Sequence, residues 1–376
     1  MPKLTAKNIL IITEYYPPHW TGLAQSIFYA AHNLASRGHT VHVLTTHSDP
    51  HALKHEVGVV TVTRVPYQFQ ISRTHYSFSI LKDFIRLLPT YNTVIINSPN
   101  SNILFLALFA KIFRKKLIIY HQADILLPRH TGNRIKHRFI ELLFDFFTIP
   151  SMVLADTVSS FTYDYAEFSR VMRYSLPKFA PYIPDIQLSA EPPQHSFKKQ
   201  MDTIKKAHKL IGISGRFVEE KGFDLLFQAL PDILKKIPSA HIVFAGQHVA
   251  YEPFYDRHRA LFESQKKHVT FLGMLTGADL SYFYECLDVF VLSSRIECFA
   301  LTQIEASQKR VPIVVTNVPG ARMLVLETEF GEIATHDNLA EKIIAVLKNT
   351  QKYQKNYKKV RPFLEKFHNF PLQRIT

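Results

Sequence analysis

The chain of 376 residues is too long for one ordinary hydrophobic core and fits two domains of roughly 150 to 200 residues each. Its apolar content of 47% is ample for globular folding, and 45 Lys and Arg against 31 Asp and Glu leave a formal charge of +14 that points to anionic partners: nucleotide diphosphates, anionic lipid surfaces or nucleic acid. The only two cysteines, Cys286 and Cys298, supply neither a disulfide framework nor a metal quartet, so a reducing cytoplasm is the simplest home.

A strand is predicted over 9–13, entered from the first residues with no secretory signal ahead of it. A loop through Gly22, a helix over 24–37 stopped by Gly38, and strands over 41–45 and 59–65 follow in a βαβ rhythm. The alternation continues with a helix over 79–88, a strand over 94–97, a helix over 103–113, a strand over 117–120, a helix over 133–147 and a strand over 152–158. In the helix over 133–147, Ile135, Phe139, Leu142, Leu143 and Phe146 share one face and Arg134, His137, Arg138, Glu141 and Asp145 the other. The apolar face is expected mostly in the core. The basic face is then either solvated or suited to anionic lipid headgroups. The longest apolar run, 103–110, ends at Lys111, far short of the roughly twenty residues that cross a bilayer. Any membrane contact is therefore expected to be peripheral, on the inner face of the plasma membrane.

Pro177-Lys-Phe-Ala-Pro-Tyr-Ile-Pro184 and Glu191-Pro-Pro are too proline-rich for a core helix and mark a crossover, which divides the chain into domains over 1–180 and 181–355 with a basic, partly helical tail over 356–376. The second half restarts the rhythm: strand 210–214, helix 223–236, strand 241–245, helix 253–264, strand 269–272, helix 279–287, strands 289–292 and 313–316 with a motif helix between them. Two doubly wound α/β domains with parallel sheets result, and ligands of such sheets lie at the carboxyl ends of the strands.

Two motifs fall at such ends. In Arg295-Ile-Glu-Cys-Phe-Ala-Leu-Thr-Gln-Ile-Glu305 a helix starting near Phe299 would point the free N–H groups of Phe299, Ala300 and Leu301 at an anion such as a phosphate. Glu305, about two turns on, could accept bonds from a ribose diol, and Glu297, before the first turn, from a second ring beyond the phosphates. For the two glutamates taken alone, a surface helix with scattered acids is the favoured reading. Upstream, Gly212-Ile-Ser-Gly-Arg-Phe-Val-Glu-Glu-Lys-Gly222 places Gly215, Arg216 and Lys221 in the loop after a strand, where two cations could clamp a diphosphate. Cys298 reads as a small packing residue, since no His accompanies it in sequence.

Together these stretches resemble the donor-binding half of the retaining glycosyltransferases of family 4, in which a Gly-Arg-(x4)-Lys-Gly loop is followed by Glu-x7-Glu. The resemblance implies a GT-B fold, with two Rossmann-like domains facing each other across a cleft: an acceptor-side first domain, a nucleotide-sugar second domain and a tail packed back at their junction. It implies transfer of a sugar, with its anomeric configuration kept, from a nucleoside-diphosphate sugar to a hydroxyl of a glycan or lipid-linked acceptor in envelope, surface-polysaccharide or glycolipid synthesis. Where the family usually has Glu-Gly-Phe-Gly-Leu, this chain reads Glu297-Cys-Phe-Ala-Leu301, which narrows the backbone approach to the phosphates.

By the same resemblance, the loop Glu14-Tyr-Tyr-Pro-Pro-His-Trp-Thr-Gly22 stands where the family carries a Gly-Gly turn meeting the donor phosphates, here Thr21-Gly22; an ordinary strand-to-helix loop is the alternative. His121, at a strand's carboxyl end, matches the histidine that faces the donor sugar. Nearby Asp124 is left between an acceptor contact and helix capping. His121 and Glu297 would hold the sugar, Glu305 the ribose, and Arg216, Lys221 and the helix start the departing diphosphate. No Asp-x-Asp occurs, so protein cations are expected to do the work of a divalent metal, with no cofactor or metal requirement. Expected partners are the nucleotide sugar, the acceptor and an anionic membrane surface; nucleic acid is not expected, because no recognised module appears and the basic residues are dispersed. The alternatives are a nucleotide-sugar-binding protein without turnover, and a GT-B epimerase or phosphorylase.

Overall fold

Aliphatic runs without polar alternation, such as Ile9-Leu-Ile-Ile12, form strands buried on both faces, as parallel sheets require. The computed structural model describes residues 6–47, 55–56, 58–71, 74–127, 133–246 and 253–372. They group into two units, one of the residues up to Asp185 together with those from Phe367, the other Ile186–Lys366.

The first unit contains β1 (Asn8–Thr13), β2 (Thr40–His47), β3 (His55–Glu56), β4 (Thr61–Pro66), a separate hairpin of β5 (Phe69–Ile71) and β6 (Thr74–Tyr76), then β7 (Thr93–Ser98), β8 (Lys116–His121), β9 (Thr157–Ser160) and β10 (Phe179–Pro181). The sheet order is β10-β9-β8-β7-β1-β2-β4-β3, parallel except where β3 meets β4. The chain runs outward from β1 through β2 and then returns to the other side of β1 as β7. That reversal creates a switch point at the carboxyl ends of β1 and β7.

The helix expected over 133–147 runs as Arg134–Leu154, through Pro150, so Met152 is a fully buried helix residue and not the start of a strand. Its N-cap is Asn133, whose Oδ1 accepts from the N–H groups of Ile135 at 3.0 Å and Lys136 at 3.2 Å. Its orientation is the reverse of the sequence expectation. Ile135, Phe139 and Phe146 are 83%, 65% and 67% exposed, whereas Glu141, Phe144, Thr148, Ser151 and Met152 are buried. Ion pairing decides this: Arg170 grips Asp145 with Nε and a terminal nitrogen, each at 3.0 Å, and Glu141 accepts from the Leu127 N–H at 2.9 Å and from Arg138 at 3.0 Å. Satisfied in this way, two carboxylates occupy the inward face that the apolar stripe was expected to fill.

The second unit is an all-parallel sheet of β11 (Lys209–Ser214), β12 (Ala240–Ala245), β13 (Val269–Phe271), β14 (Val289–Leu292), β15 (Ile313–Thr316) and β16 (Gly331–Ala334) in the order β13-β12-β11-β14-β15-β16. Helices Phe223–Lys236, Pro253–Gln265 and Leu339–Lys348 cover the sheet. Phe217 is central to that core, with the rings of Phe223, Phe244, Phe254 and Phe262 at centroid distances of 5.0 to 5.5 Å.

The break between units falls at Asp185–Ile186, beyond the expected 180–181. The tail over 356–376 does not act as one piece. Helix Tyr357–Glu365 belongs to the second unit, and only the residues from Phe367 join the first, where Phe370 packs its ring 4.7 Å from Tyr182 and 5.7 Å from Tyr120. Apolar Phe370 and Leu372, both buried, anchor the end of a segment whose basic character had dominated its reading.

Candidate active site

In the second unit the chain reverses between β11 and β14, and both family motifs lie in the loops that leave these neighbouring strands. Backbone bonds lace the loops together. The Arg295 N–H donates to the Glu220 carbonyl at 2.8 Å, and the Ser293 hydroxyl to that of Lys221 at 3.0 Å. Arg295 also reaches back to the first turn of helix Phe223–Lys236, where its guanidinium holds both oxygens of buried Asp224 at 2.7 and 2.6 Å. Sequence reading gave Arg295 and Asp224 no role; a cation just before one motif and an acid just after the other was the available signal. Gly222 has to be glycine, since its φ is +61° and a Cβ there would lie 2.1 Å from the Ser293 carbonyl oxygen.

This lacing brings Lys221 Nζ to 2.5 Å from Glu297 Oε2, so the cation of one loop and the acid of the other form one pair. The Ser294 hydroxyl lies 3.5 Å from the same oxygen. The Lys221 stem passes Gly215, where a Cβ would be 3.8 Å from Lys221 Cε, while Arg216 is exposed on the same loop. Cys298 donates its N–H to Glu297 Oε1 at 3.2 Å, and burial, with the Glu297 carboxylate beside it, pushes its thiol far above the ordinary range. It stays protonated and packs, as its sequence context implied.

The motif helix is Leu301–Gln308, two residues later than expected. Ala300, its N-cap, has φ +65° and ψ 100°, which interrupts helical geometry, and Phe299 is fully buried before it. Phe299 and Ala300 therefore lie outside the first turn. The donors there are Leu301, Thr302 and Gln303, of which Gln303 already donates to the Ala300 carbonyl at 3.1 Å. Where the family usually places glycine, the backbone requires a positive φ that an alanine adopts with strain. Glu305 lies little more than one turn beyond the helix start, is buried, and accepts from the Tyr284 hydroxyl at 2.7 Å through Oε2. Tyr284 was not singled out in the sequence. Burial first, and Glu305 second, hold its phenol well above the usual range.

In the first unit, Gly22 opens helix Gly22–Ser36, and Thr21, at the position of the family's first glycine, is its N-cap: Oγ1 accepts from the Ala24 N–H at 3.1 Å. A polar chain fixes this helix start at the switch point. Gln122 donates to the Leu23 carbonyl at 3.2 Å and to Asn97 at 2.5 Å, and Asn97 donates to Thr13 at 2.9 Å. His121 is buried between Ser98 Oγ, 3.0 Å from Nδ1, and Asp124 Oδ1, 3.0 Å from Nε2. Asp124 caps no described helix; besides His121 it accepts from the Ser169 hydroxyl at 2.7 Å and the Arg170 N–H at 2.8 Å. Burial pushes its carboxyl up, but the bond and charge of His121, with Arg170 and Ser169, bring it down to about 2.

One further carboxyl at this edge was missed. Glu14 is buried directly after β1 and accepts from the Ser101 N–H at 2.7 Å, the Ser101 hydroxyl at 3.0 Å and the His75 N–H at 3.0 Å. Burial pushes it up to about 8 against the pull of those three bonds.

Two doubly wound parallel-sheet units with laced motif loops at the switch point of the second define a GT-B protein. The Glycosyltransferase Family 4 model matches residues 20–166 and the model for glycosyl transferases group 1 matches residues 195–361; the chain belongs to this family. It is similar to the capsular polysaccharide biosynthesis glycosyltransferase CapM of Staphylococcus aureus, 33% identical over 158 residues, which is 39% of this chain and 41% of that protein. This alignment, like those with the spore coat protein SA of Bacillus subtilis and a glycosyltransferase of Methanocaldococcus jannaschii, spans less than half the length of the relative. Among solved structures, the sucrose-phosphate synthase of Thermosynechococcus elongatus superposes with a TM-score of 0.72 at 17% identity, covering 96% of this chain and 95% of that one. HepE of Anabaena in complex with UDP-glucose superposes with a TM-score of 0.68 at 16% identity, covering 96% of each chain.

Proposed function

We propose that the protein transfers a glycosyl unit, with retention, from a nucleoside-diphosphate sugar to a hydroxyl of a glycan or lipid-linked acceptor in surface-polysaccharide or glycolipid synthesis. The observation that carries this reading is the Lys221–Glu297 pair at the junction of the two laced loops, beside the helix start at Leu301. The UDP-glucose held by HepE and the capsule role named for CapM support the substrate classes.

In this reading Arg216, Lys221 and the first-turn N–H groups stabilise charge growing on the departing diphosphate, the main electrostatic task of the reaction. Glu297 keeps Lys221 in place before the nucleotide arrives and then contacts the sugar; Glu305, steadied by Tyr284, accepts from the ribose. The acceptor hydroxyl attacks on the face from which the diphosphate leaves. His121 and Gly22, in the first unit, are assigned to the donor by the family resemblance alone, and Ser98 with Asp124 fixes the imidazole. Protein cations take the place of a divalent metal.

A panel of nucleotide sugars tested for thermal stabilisation, followed by donor turnover with candidate acceptors, tests the reading. A ligand at a hundred times its dissociation constant adds about 2.7 kcal/mol. Stabilisation without turnover would leave a binding protein, sugar modification without transfer an epimerase, and no stabilisation by any nucleotide sugar overturns the assignment.

A further inference from the structure

The outward face of helix Arg134–Leu154 is left exposed by the described residues of its own unit. Ile135, Phe139, Leu142, Phe146 and Val153 recur at spacings of three, four and seven and are all exposed, on the side of the helix opposite buried Phe144 and Ser151. The helix packed beside it, Ile103–Ile112, exposes Phe105, Leu108 and Ile112, followed by Phe113. A two-helix layer thus presents aromatic and aliphatic side chains outward over the roughly 30 Å length of the longer helix.

The charge on this layer has one sign. Arg134, Lys136 and Arg138 lie at one end of the long helix; Lys111 is in the last turn of the short one, and Arg114, Lys115 and Lys116 follow it. No acid occurs in 99–123, and both acids of the long helix, Glu141 and Asp145, face inward to Arg170. Lys111, Arg114, Lys115 and Lys116 line one recess with Asp156, which is paired to Lys111 at 2.7 Å. Among the described residues no helix is long and apolar enough to cross a bilayer. An apolar stripe bordered by cations, on a helix lying along the surface, has the composition that seats in the headgroup region of an anionic bilayer.

We propose that this two-helix face is a membrane-docking surface, with Ile135, Phe139, Phe146 and Ile112 entering the acyl boundary of an anionic bilayer and the surrounding Lys and Arg engaging headgroup phosphates. It does not depend on the sugar chemistry proposed above. Anionic headgroups match the cationic rim and the acyl boundary the apolar stripe, whereas a second copy of the chain would bring like charges together.

Cosedimentation of the full chain with phosphatidylcholine vesicles, with and without phosphatidylglycerol, at low and high salt tests this. The wild type partitions onto the anionic vesicles, far less onto neutral ones, and is released as salt rises. Phe139→Gln with Phe146→Gln weakens partitioning about tenfold per residue, and Arg114→Gln with Lys115→Gln about fivefold per residue. All four positions are partly or fully exposed, so melting temperatures stay unchanged; Ile112→Gln with Ile135→Gln serves as an independent pair. Binding indifferent to both apolar pairs, no preference for the anionic vesicles, or a lipid-free dimer abolished by the same substitutions would each overturn the proposal.

Discussion

Lys221 and Glu297, 76 residues apart in the chain, meet at 2.5 Å because two loops leave adjacent parallel strands and are bonded to each other along their backbones. The pair is largely shielded from water and positions a cation where the motif helix begins. Lys221→Ala should lower turnover about a hundredfold, equivalent to about 3 kcal/mol of lost charge stabilisation, and weaken nucleoside-diphosphate binding. Glu297→Gln should lower turnover while leaving that binding intact, since Lys221 keeps its charge. Steady-state kinetics with calorimetric titration of the nucleoside diphosphate separates the two, and wild-type turnover in a folded Lys221→Ala protein would remove the site assignment.

Ala300 holds a positive φ that costs roughly 1 to 3 kcal/mol for a residue with a Cβ. Glycine there relieves the strain and adds about 0.5 to 1 kcal/mol of chain entropy. Ala300→Gly should therefore stabilise the protein by about 1 kcal/mol, read as a higher urea midpoint with an unchanged slope. A lower midpoint would show that the Ala300 methyl group packs more favourably than its backbone is strained.

The parallel sheets were legible because their aliphatic runs report burial directly, and helix Phe223–Lys236 was bounded as expected by its glycine and its period. Residues 133–154 misled for a physical reason. Period identifies an apolar face but not what it faces, and only the pairing of Arg170 with Asp145 and Glu141, from a distant segment, turned that face outward. Likewise Lys221 and Glu297 could be named from their motifs, whereas Tyr284 and Glu14 carry no local signature, since their partners are set by tertiary packing.

Glu14 supplies a pH dependence whose sign is fixed by its environment. Its carboxyl titrates near 8 in the fold, above its ordinary value of 4.5, so its contribution is complete below about 4.5 and is lost as pH rises through about 8. Over that window the wild type should lose stability relative to Glu14→Gln, which cannot titrate. Urea denaturation of both proteins at pH 5 and pH 8.5 gives the comparison, and an unchanged difference between them would place the Glu14 proton elsewhere.

The chain has no Asp-x-Asp, and the proposed diphosphate site relies on Arg216, Lys221 and a helix start. Activity should therefore survive chelation. Loss in EDTA, restored by magnesium or manganese, would show that the diphosphate is neutralised by a metal instead.

The first unit is discontinuous in sequence: Ile186–Lys366 stands between its main body and the segment carrying Phe370. At ordinary translation rates those roughly 180 residues take about 10 to 40 s to synthesise. Throughout that interval Tyr120 and Tyr182 await the ring that packs against them, and the nascent first unit carries an aromatic site that only the later segment covers.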